Sequence, residues 1–328
     1  MSGVLAPAGP VAQVIAEMAW VLIVGSGVVF GLVMAALVWA MRRRGGATSS
    51  GDEGAPATGV DRAAAGRIDR AAALWWIVGA GFVLPVVVLS ALLVYTVWRT
   101  NELTPGREPQ EPIVSVVAHL WWWEVRYREP ARGIDVVLAN EIHLPVGRAV
   151  TLGLTSADVI HSFWVPALAG KVDMLPGRVH QLRVQADRPG VYRGQCAEFC
   201  GEQHARMALH VVAQTPEAFE RWLQAQNRPA EAPRDALARR GAQVFAEQRC
   251  AACHTVRGLG PTASIGPDLT HVGSRLHLAA GTLPMSTAAL RDWIAHPQAA
   301  KPGARMPSYE RLDDASLGAL AAFLEQLK

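Results

Sequence analysis

The sequence of 328 residues predicts a membrane-anchored multidomain protein. It comprises an N-terminal two-helix transmembrane hairpin, a small β domain and a mostly helical C-terminal domain. Three observations predict this fold class. Two uncharged segments are long enough to cross a bilayer. Short runs rich in Val, Leu and aromatic residues follow, separated by Pro, Gly and Asp. Amphipathic helical patterns then continue to the end of the chain.

The hairpin is predicted from residues 18–41 and 71–98, neither of which contains a charged residue. Both segments exceed the roughly 20 apolar residues that span a bilayer, so we expect helices at about 17–41 and 71–98 within an anchoring region 1–100. A buried soluble helix is an alternative for each segment, but such long uncharged runs disfavour it. A cleaved signal peptide is an alternative for the first. That segment is longer than a typical signal core, and no Lys or Arg precedes it, so a retained hairpin is favoured.

The charge pattern predicts the orientation of the hairpin. The loop at 42–70 begins with three consecutive arginines, whereas the N-terminal tail has no basic residue. Because positively charged loops stay in the cytoplasm, we expect both termini on the outer, periplasmic side of a bacterial inner membrane. The formal net charge of +3 is small for this length and gives no argument for binding to nucleic acid.

The outer part of the chain divides into two predicted domains. Residues 101–226 contain the β-prone runs, which indicate an antiparallel sandwich or Greek-key barrel closed by a short helix at 217–226. Residues 227–235 are polar and proline-bearing and are predicted to be a linker. Residues 236–328 carry three amphipathic helical patterns and form the predicted C-terminal domain.

The C-terminal domain contains a C-x-x-C-H motif at Cys250, Cys253 and His254. This motif is typical of covalent c-type haem attachment: two thiols one turn apart reach the two vinyl groups, and the histidine binds the iron. Structural zinc is the alternative, with His271 and His277 as further ligands. These two histidines lack paired spacing, so haem is favoured.

The second axial ligand of the haem iron is expected on a later loop. Met306 lies in KPGARMPSYE, a loop with proline on both sides, and is the predicted ligand. Met285 lies just before a helix and is expected to pack in the core instead. We also expect the segment Gly266–Leu269 to wall the proximal side, with a backbone carbonyl accepting a hydrogen bond from the His254 ring.

A second candidate metal site lies in QCAEFCGEQHARM at 195–207. It offers Cys196, Cys200, His204 and Met207 at short spacing, and His161 lies upstream. In an oxidising compartment a disulfide is the alternative. Soft sulfur ligands combined with imidazole favour copper over zinc or a hard ion. Because one copper needs only one of the two thiolates, we predict two coppers bridged by both.

At these residues the chain resembles a known family. The pattern C-x-E-x-C-G-x-x-H-x-x-M with an upstream D-V-x-H-S resembles the binuclear copper (CuA) motif of subunit II of haem–copper cytochrome c oxidases. The segments AHLWWWEVRY, HLPVGRAV, GKVDMLPGR and GVYRGQCAEFC are also similar to that family, and the hairpin fits it. The fused C-terminal haem domain resembles a subtype of the same family. The resemblance implies a cupredoxin-like Greek-key β-barrel followed by an all-α cytochrome c domain.

The resemblance also implies roles for individual residues. His161 and Met207 would complete one copper, and His204 and the Glu198 carbonyl the other, with both cysteines bridging. The Glu198 side chain would reach a magnesium or manganese site shared with subunit I. Trp121 matches the tryptophan through which electrons reach the copper in this family, although a core or interface aromatic is its alternative. Residues expected to serve only structure or subunit contact are Asp158, Asp173 and Arg178.

The implied function is electron transfer within a terminal oxidase. Cytochrome c would reduce the haem, and the electron would pass through the copper pair to haem in subunit I. Dioxygen is reduced to water there, coupled to proton translocation, and subunit III is a further expected partner. Neither predicted membrane helix contains the histidines that dioxygen reduction needs. Three alternatives remain: a subunit of a CuA-type nitric oxide reductase, a copper-delivery protein and a free-standing membrane-anchored electron carrier.

The chain departs from the family at two places. Many relatives carry a glutamate near the start of the second helix, at the mouth of a proton channel. No carboxylate lies between Arg70 and Arg99 here, and Asp69 is in a different register. Leu120 and Trp122 replace residues that are often Gln and Tyr in the aromatic segment. The histidines without partner spacing are expected to be surface or satisfied core residues: His119, His143, His180, His210, His271, His277 and His296.

Overall fold

A computed structural model describes residues 3–45, 74–101 and 114–328 of the chain. Two compact units divide the chain: residues 16–106 form one, and residues up to 15 together with 107–328 form the other. Several predictions concern residues outside the described ranges. They are most of the arginine-bearing loop 42–70, Asp69, the start of the second predicted helix at 71–73, and residues 102–113.

Two long apolar helices follow the N-terminus, as predicted. Helix α1 spans Pro10–Gly45, and the second consists of a π-helical segment Trp75–Val83 followed by α2, Leu84–Asn101. Pro85, which has no amide proton, lies two residues after the π-helical segment. Of the described residues, Pro10–Arg42 and Trp75–Asn101 are long and apolar enough to span a membrane. Arg99 pairs with Glu17 and joins the two helices.

The β domain, residues 114–226, contains two five-stranded sheets. Its alternating hydrophobic pattern places every second side chain of the first strands in the core between them, where Trp123, Tyr127 and Phe163 are fully buried. The strands are β1 Val114–His119, β2 Trp122–Glu129, β3 Ile134–Ala139, β4 Glu141–Pro145, β5 Val150–Ser156, β6 His161–Trp164, β7 Val172–Met174, β8 His180–Val184, β9 Gly190–Cys196 and β10 Ala208–Gln214.

The strand order is β3-β2-β1-β5-β8 in one sheet and β4-β10-β9-β6-β7 in the other. Most pairs are antiparallel, as the sequence pattern indicates. Each sheet also contains one parallel pair, β1 with β5 and β10 with β4. These pairs arise because the chain crosses between the sheets after β3 and returns, so that strands distant in sequence become neighbours. Strands β6 and β9 are adjacent, with Phe163 opposite Cys196.

The C-terminal domain, residues 236–328, is mostly helical. The side chains of Asp235, Ser286 and Asp313 each accept a hydrogen bond from the amide three residues later and cap their helices. The helices after the β strands are α3 Pro216–Gln226, α4 Ala236–Glu247, α5 Thr287–Ala295, α6 Pro297–Ala300 and α7 Asp314–Gln326; two short strands, β11 His277–Leu278 and β12 Leu283–Pro284, pair with each other.

The β domain and the C-terminal domain belong to the same compact unit and share an interface. The Ala208 amide donates to the Ala280 carbonyl across 3.0 Å. The Leu276 amide donates to the buried Glu141 carboxylate across 2.6 Å. His210 and His277 stack with ring centroids 4.1 Å apart. The predicted linker 227–235 is therefore not the only connection between these two domains.

Substitution of Gly241 tests the closest helix contact in the C-terminal domain. A Cβ at this position of α4 would lie 2.0 Å from the Ala319 carbonyl oxygen of α7. We expect Gly241→Ala to lower the local stability of α4 and α7 by about 1–3 kcal/mol, because overpacking outweighs the gain in helix propensity. Native-state hydrogen exchange of the full chain measures this. In Gly318→Ala, where a Cβ meets nothing within 4 Å, stability should not fall; equal losses would contradict the prediction.

The stacked histidines predict a pH dependence of stability. Burial and the neighbouring His277 lower the pKa of His210 from 6.5 to about 4, although Glu141 opposes this and Arg193 adds to it. Between these pH values the unfolded chain binds the proton more readily, so stability is lost as the pH falls from about 6.5 to about 4. Thermal unfolding of His210→Phe should show a smaller loss over this range than wild type. The same substitution at the exposed His296 should leave the wild-type profile unchanged.

Candidate metal centres

The β9–β10 loop, residues 196–207, carries most of the predicted copper ligands. Cys196 ends β9, a 3₁₀ turn contains His204, and Met207 directly precedes β10. The Cys196 amide donates to the Met207 carbonyl across 2.9 Å and closes the loop at its base. Gly201 has φ +109°, and a Cβ there would lie 3.2 Å from the Trp121 ring. This loop conformation therefore requires glycine.

The predicted ligand atoms converge. The sulfurs of Cys196 and Cys200 lie 3.7 Å apart, and both thiols are free. The Nδ1 atom of His161 is 3.7 Å from the Cys196 sulfur, and the Nδ1 atom of His204 is 3.7 Å from the Cys200 sulfur. Met207 places its sulfur 3.9 Å from that of Cys200. Two thiols, two imidazoles and a thioether form a donor set that fits a soft metal.

The backbone carbonyl of Glu198 adds an oxygen to this cluster. The Cys196 sulfur lies 3.2 Å from that carbonyl oxygen. The Glu198 side chain, in contrast, points outward, and its carboxylate lies 3.8 Å from the Lys171 ammonium. The structure brings the carbonyl, but not the carboxylate, to the sulfur atoms. The magnesium or manganese site stays a prediction.

His161 is fully buried, and its orientation is fixed by Asp158. The Nε2 atom lies 2.9 Å from the Asp158 carboxylate, so Nδ1 faces the sulfur atoms. Burial disfavours the charged imidazole, but the hydrogen bonds with Cys196 and Asp158 outweigh this and raise the pKa of His161. The sequence predicts that Asp158 serves only structure or subunit contact; in the structure it also contacts a predicted copper ligand.

The two thiols differ in how readily they lose a proton. The hydrogen bond between the two sulfurs lowers the pKa of Cys196, and the hydrogen bond with His161 lowers it further. The bond between the sulfurs, together with burial, raises the pKa of Cys200. The pair therefore holds one negative charge before it holds two. Because metals bind thiolates, occupation of this site must release the second proton.

The predicted haem residues line one cavity of about 270 Å³. Cys250, Cys253, His254 and Met306 all contribute to its walls. Four cationic side chains also line it: Arg249, Arg275, Lys301 and Arg305; Asp158 is the one acidic residue among the lining residues. This excess of positive charge suits a ligand that carries carboxylates, such as haem.

The proximal side of this cavity forms as predicted. The Nδ1 atom of His254 lies 2.7 Å from the Pro267 carbonyl oxygen, which leaves Nε2 to face the cavity. Gly266 packs directly on the ring: a Cβ there would lie 2.6 Å from the His254 Cε1 atom. Glycine is therefore needed at 266 for this close approach.

Met306 and Met285 occupy different places. Met306 lines the cavity, whereas Met285 packs against the core of the C-terminal domain and does not line it. This favours Met306 as the axial ligand. The zinc alternative is disfavoured, because His271 bonds to the Arg228 carbonyl and His277 stacks on His210. Of the described residues, only His161, Cys196 and Cys200 form a metal-binding group of three or more His, Cys or acidic residues.

Trp121 lies between the two candidate centres. Its indole N–H donates to the Cys200 carbonyl across 2.8 Å, and the same residue lines the haem cavity. Trp122 and His119, which also line the cavity, stack on each other with centroids 4.5 Å apart. The Asp158 carboxylate accepts a hydrogen bond from the Leu120 amide and supports the Trp121 segment from the copper side.

Sequence analysis missed two buried polar residues beside Trp121. Lys301 is 4% exposed and donates to the Trp121 carbonyl across 2.7 Å. Gln203 is 2% exposed and donates to the Pro302 carbonyl across 2.7 Å. The sequence gives one signal for Lys301: it is one of only three lysines in a chain that otherwise uses arginine as its basic residue.

Both outer domains match known families. Residues 131–214 match the family model of the cytochrome c oxidase subunit II periplasmic domain. Residues 238–328 match the cytochrome c model.

Relatives of similar length extend the match. Cytochrome c oxidase subunit 2 of Alkalihalophilus pseudofirmus is 35% identical over 252 residues, 75% of this chain and 71% of the relative. The same subunit of Bacillus subtilis is 30% identical over 264 residues, 75% of this chain and 73% of the relative. The crystal structure of the periplasmic domain of subunit II of cytochrome oxidase from Bradyrhizobium japonicum is 26% identical, with a TM-score of 0.34; it covers 36% of this chain and 95% of that one.

Substitution of Asp158 tests whether it orients His161 for metal binding. Asp158→Asn removes the anionic acceptor of His161 and should weaken copper binding by about 10–100-fold, the usual effect of losing such a partner. Competition titration of the full chain with a copper chelator measures the affinity. Asp187→Asn, at an exposed aspartate, is the control and should match wild type. Equal affinities for Asp158→Asn and the control would contradict this role.

Proposed function

The chain belongs to the cytochrome c oxidase subunit II family, and we propose that it carries electrons through two metal centres of its own. The observation that carries this proposal is the position of Trp121. Its indole N–H binds the Cys200 carbonyl while the residue also lines the cavity of Cys250, His254 and Met306. A single side chain therefore contacts the copper-binding segment and the haem cavity.

The haem would be held covalently by Cys250 and Cys253, with His254 and Met306 as axial ligands of the iron. A binuclear copper centre would be held by Cys196, Cys200, His161, His204, Met207 and the Glu198 carbonyl. When bound, each centre would supply reversible one-electron chemistry. The proposed order of transfer runs from cytochrome c to this haem, then to the copper pair, and then to haem in subunit I. Because methionine ligation raises the potential of a haem, it suits a carrier that delivers to an oxidant.

The chain's own residues fix the ligands before a metal arrives. Asp158 holds the His161 ring, and the Pro267 carbonyl holds the His254 ring, so each histidine presents its other nitrogen. Both cysteines at the copper site are buried, and the loop is closed by the bond between Cys196 and Met207. Ligands fixed in this way move little when the charge at the centre changes, and this suits rapid electron transfer.

The catalytic step belongs to the complex. We propose that dioxygen is reduced to water in subunit I, with proton translocation, and that subunits I and III are partners of this chain. Both long helices lack histidine, so this chain offers no intramembrane ligands for a dioxygen-reducing centre. The two metal domains would lie on the periplasmic side of a bacterial inner membrane, as the arginines at the start of the connecting loop predict.

Cysteine substitutions in the purified complex test this proposal. Wild type should show paramagnetic resonance of one unpaired electron shared by two copper nuclei, a covalent low-spin haem, and oxidation of cytochrome c by dioxygen. Cys200→Ser should lose the shared-copper signal and oxidase activity but keep the haem. Cys253→Ser should lose one thioether bond of the haem but keep the copper signal. Loss of both signals in either variant points to misfolding, which expression level and the unfolding midpoint would reveal.

Three results would overturn the proposal in different ways. A complex that turns over nitric oxide but not dioxygen would indicate a nitric oxide reductase. Copper that exchanges freely with a weak chelator would indicate a delivery protein. Purification of the chain without a large partner subunit would indicate a free-standing carrier.

A further inference from the structure

A buried lysine joins the C-terminal domain to the electron path. Lys301 lies in the turn after α6, is 4% exposed, and donates to the Trp121 carbonyl across 2.7 Å. Among the described residues, no carboxylate pairs with this ammonium group. Burial of a cation without an anion is costly, and accordingly burial lowers the pKa of Lys301 to about 7. An apolar residue of similar length would fill the same space without the cost of burying a charge. The presence of a lysine at this position therefore needs an explanation.

The β9–β10 loop also contacts the turn that contains Lys301. Gln203 donates to the Pro302 carbonyl, and Arg206 donates to the Ala300 carbonyl, each across 2.7 Å. The turn 300–303 of the C-terminal domain is thus held by two side chains of the predicted copper loop. That turn in turn holds Trp121 through Lys301. We refer to these three hydrogen bonds as the 300–303 clasp.

The clasp acts on a residue that is fixed at both ends. The Trp121 carbonyl accepts from Lys301, and the Trp121 indole donates to the Cys200 carbonyl. A Cβ on Gly303 would lie 3.7 Å from the Trp121 ring, so the turn lies close to the indole. The backbone of Trp121 is therefore fixed by the C-terminal domain, and its side chain by the β9–β10 loop.

We propose that Lys301 is a positioning residue that holds Trp121 between the haem cavity and the copper-ligand loop, so that electrons reach the copper from the chain's own haem domain. This rests on the proposed function. A lysine at 301 serves this purpose because its long stem carries the Nζ donor to the Trp121 carbonyl, 2.7 Å away.

Hydrogen exchange tests the clasp without relying on turnover. Lys301→Met keeps the length of the side chain and removes its donors. Exchange in peptides covering residues 118–123 and 300–306 of the full-length chain should rise by about tenfold, the factor expected on loss of a hydrogen bond from a charged group. Lys328→Met, the same change at an exposed lysine of the same domain, should leave both peptides at wild-type rates.

Electron transfer within the complex distinguishes positioning from simple structural support. After photoreduction of the haem, reduction of copper should be slower in Lys301→Met than in Lys328→Met, with unchanged copper resonance, haem absorbance and unfolding midpoint. Lys301→Arg, which keeps a cationic donor, should restore part of the rate. Equal rates and equal exchange in the methionine variants would overturn the proposal. So would slower transfer accompanied by an altered copper signal, because that indicates a damaged ligand set.

The exposed Arg206 gives a second route if Lys301→Met does not accumulate. Arg206→Met removes one bond of the clasp from the opposite side and should raise exchange in the same two peptides, to a smaller extent. Unchanged exchange in this variant would count against the clasp. Failure of the proposed function can be told apart from failure of the clasp. If the proposed function fails, wild type lacks the copper or haem signal, whereas the hydrogen-exchange comparison can be interpreted without either signal.

Discussion

The chemistry of this chain depends on the closure of the β9–β10 loop. The hydrogen bond between the Cys196 amide and the Met207 carbonyl brings the two ends of a twelve-residue segment together at the base of two strands. With its ends fixed, the loop places two cysteine sulfurs 3.7 Å apart in a buried position. Ordering such a loop is unfavourable in entropy, and packing of the sheets beneath it supplies the compensation. The ligand geometry is therefore a consequence of the β-sandwich.

The fused C-terminal domain contributes to the same constraint. Ala208, the first residue of β10, donates its amide to Ala280, and Glu141 on the neighbouring strand accepts from Leu276. These bonds anchor the C-terminal domain to β10, which follows the metal-binding loop, and to the neighbouring strand β4. A tethered domain already raises the effective concentration of its partner surface. The interface adds orientation to proximity, and electron transfer depends on both.

Local spacing explains which parts of the site could be predicted from the sequence. Cys250, Cys253 and His254 lie within one turn, so haem attachment can be predicted from the sequence without knowing the fold. The hydrogen bond from His254 to the Pro267 carbonyl could be predicted because Pro267 lies only 13 residues further along the chain. Trp121 and Lys301 are 180 residues apart, and no periodicity links them. The parallel strand pairs were missed for the same reason, since they join segments brought together by crossing between sheets. The π-helical turns at Trp75–Val83 lie within a uniform apolar run, whose pattern does not distinguish a π-helix from an α-helix.

Lys301 and the arginines that line the haem cavity use their side chains differently. Arg249, Arg275 and Arg305 line the haem cavity and carry fixed charge, which suits carboxylates on a bound group. Lys301 instead directs a compact ammonium group at a backbone carbonyl, where a planar guanidinium would need more space and more acceptors. Its charge then lies at the boundary between the two centres and is not neutralised by a carboxylate of the described residues. Lys301 therefore fixes the backbone of Trp121, whereas the arginines of the cavity offer charge to a bound group.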